Sequence, residues 1–82
     1  MNDTVFNIIG DTGLPVEWDE IEGMTISGST GEWNFIPGEA GLVLFERRNG
    51  PVVQESGDIG LYADDSPQKI AQAILKLALK EI

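Results

Sequence analysis

Between Met24 and Phe35 the chain alternates apolar and polar residues on both sides of Gly28-Ser29-Thr30-Gly31. A strand sends successive side chains to opposite faces, so this alternation predicts a β-hairpin with one apolar face. With Ser29-Thr30 as a two-residue turn, Ile26 lies opposite Trp33 and Met24 opposite Phe35, all four on one side. Thr25, Ser27, Glu32 and Asn34 then form a polar side. A four-residue loop that includes both glycines keeps the same register.

Further short apolar runs, punctuated by ten glycines and four prolines, predict strands over residues 4–9, 15–20, 42–47, 52–55 and 59–62. Arg48-Asn49-Gly50-Pro51 carries the Asn-Gly turn signal. A turn centred on Asn49-Gly50 would need a donor from residue 51, and Pro51 has no N–H. The expectation there is a looser reversal without tight pairing.

One stretch has helical periodicity, from Pro67 to Glu81. Ser66 stands at the N-cap position and Pro67 at the first helical position, where a missing N–H costs nothing. Asp64 and Asp65 precede the positive end of the helix dipole, and Lys76 and Lys80 lie toward the negative end. Lys69, Gln72, Lys76 and Lys80 make a polar stripe. Ile70, Ile74 and Leu77 line one apolar flank, and Ala71, Leu75, Leu79 and Ile82 another. About two thirds of the circumference is apolar, wider than the stripe a surface helix needs. Either the sheet curls round this helix or a partner or second copy covers part of it.

These elements define an α+β fold: a single compact domain over residues 1–82, with a small antiparallel β-sheet of four to six short strands packed against one C-terminal α-helix. Parallel pairing needs several crossover helices, and only one is predicted. Met24, Ile26, Trp33, Phe35, Val43, Phe45, Ile74 and Leu77 are expected to form much of the core.

Charge narrows the function. The 82 residues hold 14 acids and 5 bases, a net charge of −9. All five bases lie at or after Arg47, so the first 46 residues carry nine acids and no base. Such a chain is not expected to bind nucleic acid directly, because that binding releases counterions through Lys and Arg. Anionic membranes are disfavoured for the same reason. With no His and no Cys, imidazole catalysis, thiolate chemistry and zinc–thiolate sites are excluded. The start of the chain lacks the basic region and apolar run of a secretory signal, so the expected location is cytoplasmic.

Glu17-Trp18-Asp19-Glu20-Ile21-Glu22 places four carboxylates around a tryptophan. One reading is a binding patch in which Glu17, Asp19, Glu20 and Glu22 steer a basic partner and Trp18 anchors it. The other is a solvated segment with Trp18 and Ile21 tucked into the core. It lacks the alternate-ligand loop of a calcium site, so no metal is expected. No carboxylate pair is singled out for acid–base chemistry, and no catalytic residue or cofactor is expected. The glycine-rich pieces 10–13 and 27–31 lack the lysine of a phosphate loop and read as turns. Arg47-Arg48 reads as a solubility or edge-blocking device.

Gly50-Pro51-Val52-Val53, then Gly57-Asp58-Ile59-Gly60-Leu61-Tyr62, then Asp64-Asp65-Ser66-Pro67 leading into the helix, resembles the tail of the nucleotide-sugar half of GT-B glycosyltransferases. Glu39 and Glu46 stand one residue short of that family's spaced glutamates. The resemblance covers about half the chain and implies a Rossmann-like half. A GT-B enzyme needs two such halves and several times this length, so no catalytic role is carried over.

The functional expectation is a non-enzymatic protein-binding module. It takes the form of an inhibitor or antagonist of phage or plasmid type that occupies a basic, nucleic-acid-binding surface of another protein. The second expectation is a structural or assembly subunit, a homodimer or particle component, using Ala71, Leu75, Leu79 and Ile82.

Overall fold

The computed structural model describes residues 3–28 and 31–79. The order is α1 (Asp3–Gly10), β1 (Val16–Asp19), β2 (Gly23–Gly28), β3 (Gly31–Pro37), β4 (Leu42–Asn49), β5 (Val52–Tyr62) and α2 (Pro67–Ala78). The strands form one antiparallel meander in the order β1-β2-β3-β4-β5. The architecture is α+β, as the pattern predicts, with a second, N-terminal helix.

The β2–β3 register pairs Met24 with Phe35 and Ile26 with Trp33, as the alternation requires; the turn residues 29 and 30 lie outside the described residues. All four side chains are buried on the face that carries the helices. Phe45, opposite Phe35, and Val43, opposite Pro37, extend that face across β4. Trp33 lies 6.2 Å from Phe35 and 5.6 Å from Phe45, centroid to centroid. Phe45 also covers Gly57 of β5, filling space that a strand glycine leaves empty. Ile70 and Ile74 of α2 close the core from the other layer, with Leu77 half-buried against it.

Residues 4–9, expected as a strand, are helical. Val5 and Ile9, four apart, lie on one helix face and are both fully buried, with Ile8 packed beside them. A short apolar run does not itself distinguish strand from helix; what decides here is the vacancy that the sheet leaves beside α2. α1 packs against α2, and Ala71 and Ala78 of α2 are fully buried, small enough for a second helix to approach. The over-wide apolar face of α2 is thus covered largely from within the chain.

The second hairpin differs from expectation as well. Asn49 pairs with Val52, so the two loop residues are Gly50 and Pro51, one position further on than Asn49-Gly50. Gly50 has φ 61°, the sign a type II′ turn requires at its first central position. The donor closing the reversal is then on Val52, and the missing N–H of Pro51 falls where none is needed. Tight pairing survives because the turn moves by one residue. The strands expected at 52–55 and 59–62 are one long edge strand, with irregular pairing between Arg47 and Arg48 and between Leu42 and Leu44.

α2 begins at Pro67 as expected and ends at Ala78, with Leu79 as its C-cap. Ser66 makes no side-chain cap bond; its hydroxyl lies 3.0 Å from Gln68 Oε1. Asp65, just before the helix, accepts the Tyr62 amide at 2.7 Å. The segment resembling a GT-B half is antiparallel throughout β5, without a parallel Rossmann-type strand among the described residues.

Because Ile9 holds α1 on the core, Ile9→Ala is expected to cost about 2–5 kcal/mol. Urea unfolding followed by far-ultraviolet circular dichroism checks this. A loss of under about 0.5 kcal/mol would show that α1 contributes little to the core.

Candidate functional site: the acidic corner and open face of the sheet

The acidic segment is built around a short hairpin. Val16 pairs with Ile26, Trp18 with Met24 and Asp19 with Gly23, leaving Glu20, Ile21 and Glu22 as the loop. Asp19 organises it, because its Oδ1 accepts the amides of Ile21 at 2.7 Å and Glu22 at 2.9 Å. Those two bonds stabilise the carboxylate and hold its pKa below the ordinary aspartate value. Gly23 follows at φ 82°, and a Cβ there would meet the Phe35 carbonyl, so the corner requires glycine. On the neighbouring strand, Asn34 Nδ2 donates to the Glu22 carbonyl at 2.6 Å and to Thr25 Oγ1 at 3.2 Å, pinning the loop to β3.

Trp18 and Ile21 are not in the core. Trp18 is 44% exposed and Ile21 83% exposed. Strand alternation divides the segment. Trp18, opposite Met24, points to the helix side, whereas Glu17, opposite Thr25, points to the other. Since β1 is an edge strand, the two sets meet along one accessible margin rather than on one flat face. Glu20, Ile21 and Glu22 project at its corner, all exposed.

The face away from the helices is open, and the register shows what it carries. One row runs Glu17, Thr25, Asn34, Glu46 and Ser56; the next runs Ser27, Glu32, Arg48 and Val53. Glu32 on β3 and Glu46 on β4 therefore share the open face with Glu17, a grouping that sequence order alone did not indicate. The signal was present in the β2–β3 alternation, which already placed Glu32 and Asn34 on the polar side. Glu22, Thr25, Glu32, Asn34, Ile36 and Arg48 line a cleft of about 160 Å³ on this face. The base in its wall is engaged, since Arg48 Nε donates to Glu46 Oε2 at 2.8 Å.

The arginine pair is divided likewise. Arg47 points to the core side, 5.9 Å from the Trp33 ring centroid and 4.0 Å from Glu55. Both arginines sit on β4, an interior strand, so the pair does not block an edge. The residues expected for self-association are also divided. Ala71 is fully buried in the chain's own core, Leu75 is half-buried and Leu79 is 53% exposed. Ile82 lies outside the described residues.

Among the described residues no polar or charged residue is buried as a whole, although the Arg47 Nε is shielded from solvent. Within the same residues, no three carboxylates converge as metal ligands and no helix is long and apolar enough to cross a membrane. The piece at 10–13 is the turn that ends α1, where Thr12 Oγ1 donates to the Ile9 carbonyl at 2.6 Å. Comparison with protein-family models, curated proteins and solved structures finds no match.

Asp19 provides a pH prediction. Its folded pKa is depressed, so its two loop bonds are intact above the ordinary value of 3.8 and are lost as pH falls through the folded value. In an NMR titration the Ile21 and Glu22 amide signals should move together with a midpoint below 3.8. In Asp19→Asn that shared transition should vanish.

Proposed function

We propose that this chain is a non-catalytic protein-binding module. It docks its β1 margin on a basic surface that its target uses for nucleic acid, and so acts as an inhibitor or antagonist in the cytoplasm. The observation that carries the reading is the exposure of Trp18 and Ile21 amid Glu17, Asp19, Glu20 and Glu22. Large apolar side chains left in water at an ordered, acidic corner are what an interface anchor looks like. The carboxylates raise the encounter rate with a cationic target and occupy the positions its phosphates would take.

An affinity capture from nuclease-treated lysate of the source or host organism tests this. A basic nucleic-acid-binding protein should be recovered at low salt and depleted at about 0.5 M salt, where charge attraction is screened. Glu17→Lys with Asp19→Lys should weaken that capture at least tenfold, an expectation of order about 1.4 kcal/mol. Trp18→Ala should weaken it about thirtyfold, with the circular dichroism spectrum of the fold retained in both variants. Recovery of nothing but the chain's own copies, insensitive to salt, would refute the proposal and move the weight to assembly through Leu75 and Leu79.

A further inference from the structure

The open sheet face adds a specific seat to that margin. We infer that the cleft between β2, β3 and β4 receives a cationic side chain, arginine or lysine, from an extended basic segment of the partner protein. The inference rests on the protein-binding reading above and adds where the partner's charge is held.

Three features of the lining point to this occupant. First, Glu22 and Glu32 stand in the wall, and the Arg48 charge opposite them is already engaged by Glu46 at 2.8 Å. The four groups together leave the cleft net negative, complementary to a cation. Second, Asn34 directs its Nδ2 toward the Glu22 carbonyl and Thr25 Oγ1. Its Oδ1 is left as an acceptor, and a guanidinium or ammonium carries only donors. Third, Ile36, half-buried on the same face, offers an apolar floor. Lysine and arginine lay their aliphatic stems on such surface while the charged head reaches polar groups. At about 160 Å³ the cleft suits one side chain rather than a folded element. An extended segment crossing the open face would deliver that side chain while its neighbours meet Glu17 and Asp19 at the margin.

The test uses the intact protein with nona-arginine and nona-lysine peptides at low salt, by calorimetry and by NMR. Binding should saturate, with the largest shifts at Thr25, the Asn34 side-chain amide and Ile36. Glu22→Gln with Glu32→Gln should lower affinity about fivefold, and Glu17→Gln with Glu20→Gln, an equal loss of charge, by less than about twofold. Thr25→Tyr fills the cleft without changing charge and should also weaken binding about fivefold; its melting temperature verifies the fold. Preference for one peptide identifies which of the two side chains the cleft takes. Equal weakening by the two charge pairs, or unchanged affinity in Thr25→Tyr, would overturn the cleft assignment and leave the β1 margin as a diffuse acidic surface. Loss of the protein-binding reading would show differently: capture from lysate would return no basic protein even where the cleft binds the peptides.

Discussion

A five-stranded antiparallel meander has two faces and only one hydrophobic core to attach to, and that asymmetry governs this molecule. Met24, Ile26, Trp33, Phe35, Val43 and Phe45 all emerge on one side, so the apolar faces of both helices must come to that side. α2 alone is too narrow to cover a sheet this wide. α1 completes the layer, and the buried alanines of α2 permit the two helices to lie together. In a chain of 82 residues little apolar surface is spare, and the fold depends on both helices being used.

The opposite face follows from the same division. With no described element lying over it, the outer face carries Thr25, Asn34, Glu46 and Arg48 in reach of water, and Glu17, Asp19, Glu20 and Glu22 gather at its β1 side. Trp18 is the exception to the partition. It sits on the apolar parity of its strand, yet at the sheet margin, where the helix layer no longer covers it. Its exposure is thus a consequence of position: β1 is short, on the edge, and ends at a corner held by Asp19. That corner is ordered by two backbone bonds to one carboxylate and by the Asn34 amide, so its side chains project from a defined frame.

The parts of this fold legible in the sequence were those where two local signals agreed. At β2–β3, side-chain alternation and turn position gave one register, and that register is present. At α2, Pro67 and the periodicity agreed on the start. Where only one signal existed, the reading was poorer. Residues 4–9 offered a short apolar run whose flanking Asp3 and Gly10 suit the ends of a strand as well as those of a helix, and the packing against α2 that accompanies the helix is a tertiary fact. At Asn49-Gly50-Pro51 the proline argument was sound for the turn considered, but the chain shifts the turn by one residue and avoids the conflict. The acidic segment was visible as composition, while its partition over two faces, and the open face that Glu17 shares with Glu32 and Glu46, depend on strand pairing that linear order does not contain.

The order of contacts along the chain also bears on how the molecule assembles. Every strand pairs with its neighbour in sequence, so each hairpin closes a short loop at small entropic cost. The α1–α2 contact closes a loop that contains the entire sheet, and its entropy is recovered only once the strands are in place. Loop closure is therefore cheapest for the strand pairs and most costly for the contact that joins the two helices. The burial of Val5 and Ile9 on α1 thus depends on a contact between distant parts of the sequence, with the whole sheet lying between the two partners.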